Sequence, residues 1–150
     1  MTAEPLPRAE VIKILASRNP VYHMLGIELI EAVPGRSRFA MTVKSEHANS
    51  FDTFHGGLIF AFADLALGFT CNAADRHSVT ADAKIDFLAP ARTGDRIIAD
   101  AVETFRESRN GIYDVRLWRE SDGKTIAHVR GKMRIIGEPG SVVNFKSAKH

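Results

Sequence analysis

The stretch FDTFHGGLIFAFADLALGFTCNAA, residues 51–74, decides how this chain folds. From Gly57 onward it is too long for a strand and rich in Ala and Leu, so it predicts a helix over about 57–73. Apolar residues occupy nearly every side of that helix, which therefore belongs inside the molecule. Phe60, Phe62 and Phe69 are its bulky members, and Gly68 leaves room for a neighbour to pack close. The longest unbroken apolar run is residues 58–63, and Asp64 ends it. A membrane span needs about 20 apolar residues, so none is expected.

Outward from this helix the pattern changes. Residues 8–18 read as a short amphipathic helix with Val11, Ile12, Leu15 and Ala16 on one stripe, ended by Asn19-Pro20. After a link over 21–25, period-two alternation begins. Ile27, Leu29 and Glu31 oppose Glu28, Ile30 and Ala32; Pro34-Gly35 marks a turn; Phe39, Met41 and Val43 then alternate with Arg38, Ala40 and Thr42. Beyond the long helix, Ala81, Ala83, Ile85 and Phe87 share one strand face, with Thr80, Asp82, Lys84 and Asp86 on the other. Strands follow over 97–105, 111–119 and 125–136, separated by Arg109-Asn110-Gly111 and Ser121-Asp122-Gly123. The expected fold is α+β, an antiparallel sheet of about five to six strands wrapped around one long helix. Residues 1–150 read as a single domain, with a helical extension over about 1–22 and a flexible tail over about 139–150.

Composition narrows the function classes. Hydrophobic residues make up 45% and charged residues 25%, which is globular and excludes a disordered chain. Twenty basic residues against 18 acidic ones leave a net charge of +2, too mild for a nucleic-acid binder. The opening MTAEPLPRAE carries acids and prolines where a signal peptide needs a basic start and an apolar run, so a cytoplasmic location is expected. Cys71 is the single cysteine and cannot make an intrachain disulfide; in an apolar helix it reads as inert core. None of the six histidines pair at i, i+3 or i, i+4, so no metal site is expected. A domain of this length buries about 68–70% of its unfolded surface, so size alone does not demand oligomerisation.

Two features point to chemistry. His55-Gly56-Gly57 stands directly before the long helix, whose start exposes unpaired backbone N–H groups and partial positive charge. Such a start can hold a carbonyl oxygen that gains charge during acyl transfer, or it is simply a glycine turn. Asp64 is the only charged residue between His55 and Asp75. An isolated carboxylate in an apolar helix is either a general base or nucleophile, or a structural acceptor. Asp64 lies about 10 Å along the helix from Gly57, at 1.5 Å per residue. If both serve one reaction, Asp64 comes from a second, antiparallel copy of the helix, and a symmetric dimer has two composite sites.

NSFDTFHGGLIFAFADLALGFTCN (49–72), KIDFLAPARTGD (84–95), GIYDVRL (111–117) and RGKMRIIG (130–137) together resemble the hotdog-fold acyl-CoA thioesterases of the phenylacetate-pathway (PaaI-like) type. The resemblance runs from about Gly26 onward. It implies hydrolysis of an acyl-CoA to CoA and a carboxylic acid by a homodimer, itself half of a dimer of dimers. Coenzyme A is part of the substrate, and no cofactor is implied. By resemblance, Asn49 positions the water or thioester and His55 orients by hydrogen bonding. The Gly56-Gly57 pair polarises the carbonyl through the Gly57 N–H. Asp64 of the opposite subunit is general base or nucleophile, and Thr80 positions water, with Asp82 beside it on the polar face. Many members carry a Gly-His or His-Gly pair ahead of the His-Gly-Gly motif, where this chain has Ser50-Phe51-Asp52, so Phe51 adds apolar surface near the acyl group. Arg130 and Lys132, with Arg134, Arg92 and Lys124, are either CoA-phosphate contacts or a solvated face. The alternatives are a hydratase or dehydratase on the same fold and a non-catalytic acyl-CoA-binding protein.

Overall fold

The computed structural model describes residues 4–147. Helix α1 (Arg8–Ser17) buries Val11, Ile12 and Ala16, the expected stripe. The expected link after it is a second short helix, α2 (Pro20–Met24). Asn19 Oδ1 accepts from the Tyr22 N–H at 3.0 Å, and Pro20 takes the first helical position, where a missing N–H costs nothing. The same dipeptide therefore ends one helix and starts the next.

Strands β1 (Glu28–Val33) and β2 (Arg36–Thr42) form the first hairpin, and a 3-10 turn (Ser45–His47) leads on to α3 (Gly56–Asn72). Strands β3 (Ser78–Phe87), β4 (Arg96–Glu107), β5 (Asn110–Arg119) and β6 (Thr125–Ile135) complete the chain. The six strands form one antiparallel sheet in the order β1-β2-β4-β5-β6-β3. It curves around α3, which is the hotdog fold. Phe62 and Leu67 of α3 are fully buried against Phe39, Met41, Val115, Leu117 and Met133 of the sheet. Each such side chain contributes about 1.5–3 kcal/mol by leaving water. Strand β6 passes so close to the helix that a Cβ at Gly131 would lie 2.8 Å from Leu67 Cδ2.

Both edge strands carry a bulge, and each overturns a face expected from alternation. Directly opposed residues of an antiparallel pair project to the same face. In β1, Leu29 opposes Phe39 and Ala32 opposes Ser37, so Ile30 is the extra residue. Leu29 and Ala32 thus share the inward face, and Glu31, expected there, turns outward opposite Arg38. In β3, Thr80 opposes Met133 and Asp82 opposes Lys132, with Ala81 extra. Thr80 therefore points inward to α3 and Asp82 outward, so these two do not share a polar face. Past the bulge, Ala83, Ile85 and Phe87 oppose Gly131, Val129 and Ala127 on the inward face, as expected.

The tail expected to fray is held as far as residue 145. Asp75 Oδ1 accepts from the Val142 N–H at 3.1 Å and the Val143 N–H at 2.9 Å. Arg18 Nη1 donates to the Val142 carbonyl at 2.9 Å, and Val142 is only 4% exposed. The outermost parts of the expected extension and tail, residues 1–3 and 148–150, lie outside the described residues. Among the described residues no helix is long and apolar enough to cross a membrane.

Candidate active site

The start of α3 is capped by a histidine. His55 holds an extended backbone (φ −60°, ψ 128°), and its Nδ1 accepts from the Gly57 N–H at 3.0 Å. The N–H expected to polarise a carbonyl is thus already bonded. A substrate oxygen reaches it only by displacing the exposed imidazole, whose Nδ1 must carry a lone pair to make this bond. Gly56 faces an aromatic ring, since a Cβ there would lie 3.3 Å from Phe87 Cζ. Phe87 is itself 55% exposed. It forms apolar surface beside the helix start, a role that its place in a plain alternating strand did not reveal.

The loop before the helix is built on Asn49. Its Oδ1 accepts from the Phe51 N–H at 2.9 Å, the Thr53 N–H at 3.1 Å and the Thr53 hydroxyl at 3.2 Å. These bonds shape the turn through Asp52, at φ +60°, and lift Phe51 to 83% exposure. The Asn49 oxygen is occupied by the loop, so contact with a ligand falls to its amide nitrogen. His47, missed from sequence, anchors the other side. It is 2% exposed; its Nδ1 accepts from the Lys44 N–H at 3.0 Å, and its carbonyl accepts from the His55 N–H at 2.9 Å.

Asp64 sits part-buried at mid-helix. The Thr80 hydroxyl donates to Asp64 Oδ1 at 2.9 Å and lies 3.5 Å from Met133 Sδ. The Ala81 bulge makes this contact by turning Thr80 inward. A cleft of about 430 Å³ opens at this pair. The part of α3 that the sheet leaves uncovered is a helical stripe of Gly57, Phe60, Ala61, Asp64 and Gly68. A Cβ at Gly68 would meet nothing within 4 Å, so among the described residues the close neighbour expected there is not found.

The chain therefore brings together two separate groups. His55, Gly56, Gly57 and Phe87 gather at the helix start; Asp64 and Thr80 pair about 10 Å further along the axis. Asp82, Arg130 and Lys132 join neither, because they lie on the outward face of the sheet. Arg130 makes a two-pronged pair with Asp114, at 2.7 and 2.8 Å. This contact lowers the Asp114 carboxyl below the usual range and raises the Arg130 guanidinium. Lys132 borders a recess of about 450 Å³ with Phe105, Ser108 and Asn110. Buried Cys71 neighbours the Tyr113 phenol, which donates to Glu103 Oε2 at 2.5 Å; burial and these two acids raise the phenol's pKa. Among the described residues no cluster of three or more His, Cys, Asp or Glu could hold a metal ion.

The thioesterase superfamily model matches residues 51–126. Acyl-coenzyme A thioesterase PaaI of Escherichia coli (strain K12) is 34% identical over 113 residues, 75% of this chain and 80% of that protein. Human acyl-coenzyme A thioesterase 13 is 30% identical over 87% of this chain and 95% of its own length. The solved structure of the E. coli PaaI protein from the phenylacetic acid degradation operon superposes with a TM-score of 0.85 at 30% identity, over 88% of this chain and 95% of that one. The matched stretch takes in α3 and strands β3 to β5, about half of the chain, and with these relatives it shows that the chain belongs to the thioesterase superfamily.

Proposed function

We propose that this protein hydrolyses an acyl-CoA thioester to CoA and a carboxylic acid in composite sites of a homodimer. The observation that carries the reading is Asp64, half-buried and hydrogen-bonded to Thr80 on a helix stripe that its own sheet leaves uncovered. The edge strand β3 and the open space at Gly68 both suit a second copy. In such a pair, two antiparallel α3 helices set the Gly57 N–H of one subunit near Asp64 of the other. A dimer of two such dimers completes the assembly.

The thioester carbonyl displaces the His55 imidazole from the Gly57 N–H, at the positive end of α3. Asp64 from across the interface, oriented by Thr80, takes a proton from water as the water oxygen bonds to the carbonyl carbon. Negative charge gathers on the carbonyl oxygen at Gly57. When that intermediate collapses, the C–S bond breaks and the leaving CoA sulfur receives the proton. Direct attack by the Asp64 carboxylate, followed by hydrolysis of the anhydride, reaches the same products. The names and likeness of PaaI and acyl-coenzyme A thioesterase 13 support this substrate class. Phe51 and Phe87 supply apolar surface beside the bound thioester.

Thiol release from a panel of aliphatic and aromatic acyl-CoAs tests the proposal, with Asp64→Ala alongside. The native protein turns over and the variant loses at least about 100-fold, the scale of a removed general base. Unchanged turnover in Asp64→Ala overturns the mechanism. Loss of the conjugated absorbance of crotonyl-CoA without thiol release would mark a hydratase instead.

A further inference from the structure

The cleft at Asp64 and Thr80 does not stop at the site. It runs beside the carboxyl half of α3, past Phe69 to Asn72 and His77. A second recess of about 230 Å³ continues from there to Val142 and Phe145. The two share Leu15, Asn19, Phe69, Asn72 and His77, so they form one continuous groove. From Asp64 to Asn72 is about 12 Å along the helix.

The groove is built from three parts of the chain. Helix α3 gives Leu65 and Phe69, α1 lays Leu15 over one side, and the 139–145 segment closes the far end. That closure is held by the Asp75 and Arg18 bonds to residues 142 and 143, by the Ser141 hydroxyl accepting from the His77 N–H at 2.8 Å, and by edge-on packing of Phe145 on His77 at 6.3 Å. Leu15, Val142 and Phe145 all lie outside the stretch that the family model matches. Apolar surface predominates in the recess at Val142 and Phe145, which Arg18, Asn19, Asn72, His77 and Ser141 also border, and polar surface is richest toward Asp64 and Thr80; a site takes a ligand graded the same way. An acyl group has that polarity. Its carbonyl belongs at Asp64, and its hydrocarbon belongs along an apolar wall.

We propose that this groove takes the acyl group as a straight aliphatic chain running from Asp64 toward the 139–145 segment, with Leu15 and Phe145 setting the accepted length. The inference rests on the thioester-hydrolase reading of Asp64. The elongation along α3 favours a linear chain; a compact acyl group would fill only the end nearest Thr80.

Calorimetric binding of S-alkyl-CoA thioethers, from ethyl to dodecyl, tests the groove without turnover, alongside thiol release from the matching acyl-CoAs. Affinity is expected to rise roughly fourfold per added methylene, until the chain reaches Phe145, and then level off. Leu15→Trp brings the levelling to a shorter chain, and Phe145→Ala, at a half-exposed position that the core does not need, moves it to a longer one. Length-independent affinity, one levelling point shared by all three proteins, or tenfold preference for phenylacetyl over octanoyl overturns the proposal. If the thioether series behaves as stated but no acyl-CoA releases thiol, the groove stands and the hydrolase reading falls. If thiol is released at rates blind to chain length, the hydrolase reading stands and the groove assignment falls.

Discussion

Mixing two inactive variants tests the composite site most directly. Gly57 and Asp64 lie about 10 Å apart on one rigid helix, too far for one chain's Asp64 to act on a carbonyl held by its own Gly57. Asp64→Ala disables one half. Gly57→Pro disables the other by deleting the N–H, and the first helical turn tolerates proline there. Each variant alone is inactive at both sites of its dimer. After random exchange of equal amounts, about half of the dimers are mixed. A mixed dimer pairs the intact Gly57 of the first variant with the intact Asp64 of the second, and its other site lacks both. One site in four is therefore whole, and thiol release should recover to about a quarter of the native rate at equal total protein. The assay is a time course after mixing, with exchange followed independently by two affinity tags. Recovery should track the appearance of doubly tagged dimer. Complete exchange without recovery refutes composite sites and places both groups' chemistry within one chain.

Three further outcomes follow from the geometry. Thr80→Val removes the hydroxyl that holds Asp64; a hydrogen bond to a charged group contributes about 1.5–3 kcal/mol, so kcat should fall at least about tenfold with little change in KM. A larger effect on KM than on kcat would assign Thr80 to substrate binding. His55→Ala removes the α3 cap and should lower stability by about 1 kcal/mol in urea unfolding, while kcat/KM falls less than tenfold because the Gly57 N–H is freed rather than lost. Asp114→Asn breaks the pair with exposed Arg130 and should cost no more than about 1 kcal/mol at neutral pH. Because the folded state lowers the Asp114 carboxyl below its ordinary value, that contribution is full above the ordinary value and disappears as pH falls through the lowered one. Native and variant unfolding curves should therefore converge in acid; a gap that persists there refutes the assignment.

The central helix and most of the sheet were legible residue by residue. A run of apolar residues with helical length has one stable place, inside, and Asp64 stands out in it because an isolated carboxylate there needs a reason. The distance from Gly57 to Asp64 follows from helix geometry alone, so the proposal of a second copy needs no coordinates. Four features were not. The bulges at Ile30 and Ala81 exchange the faces of Glu31 and Ala32 and separate Thr80 from Asp82, yet each is defined only against a partner strand. For β3 that partner is β6, whose Met133 stands opposite Thr80 far along the chain. Likewise, the Gly57 N–H looks free until the His55 rotamer is known. The 139–145 segment looks like a loose end until Asp75 and Arg18 are seen to grip it.

The division follows from range. Helix burial, turn positions and the place of Asp64 depend on periodicity and on neighbours within a few residues, which the order of amino acids states directly. Strand register, the inward turn of Thr80 and the closed end of the groove depend on pairings between distant segments, where one inserted residue moves every following side chain to the other face. Local alternation cannot encode that insertion, because the extra residue is extra only relative to a strand that the chain meets after folding.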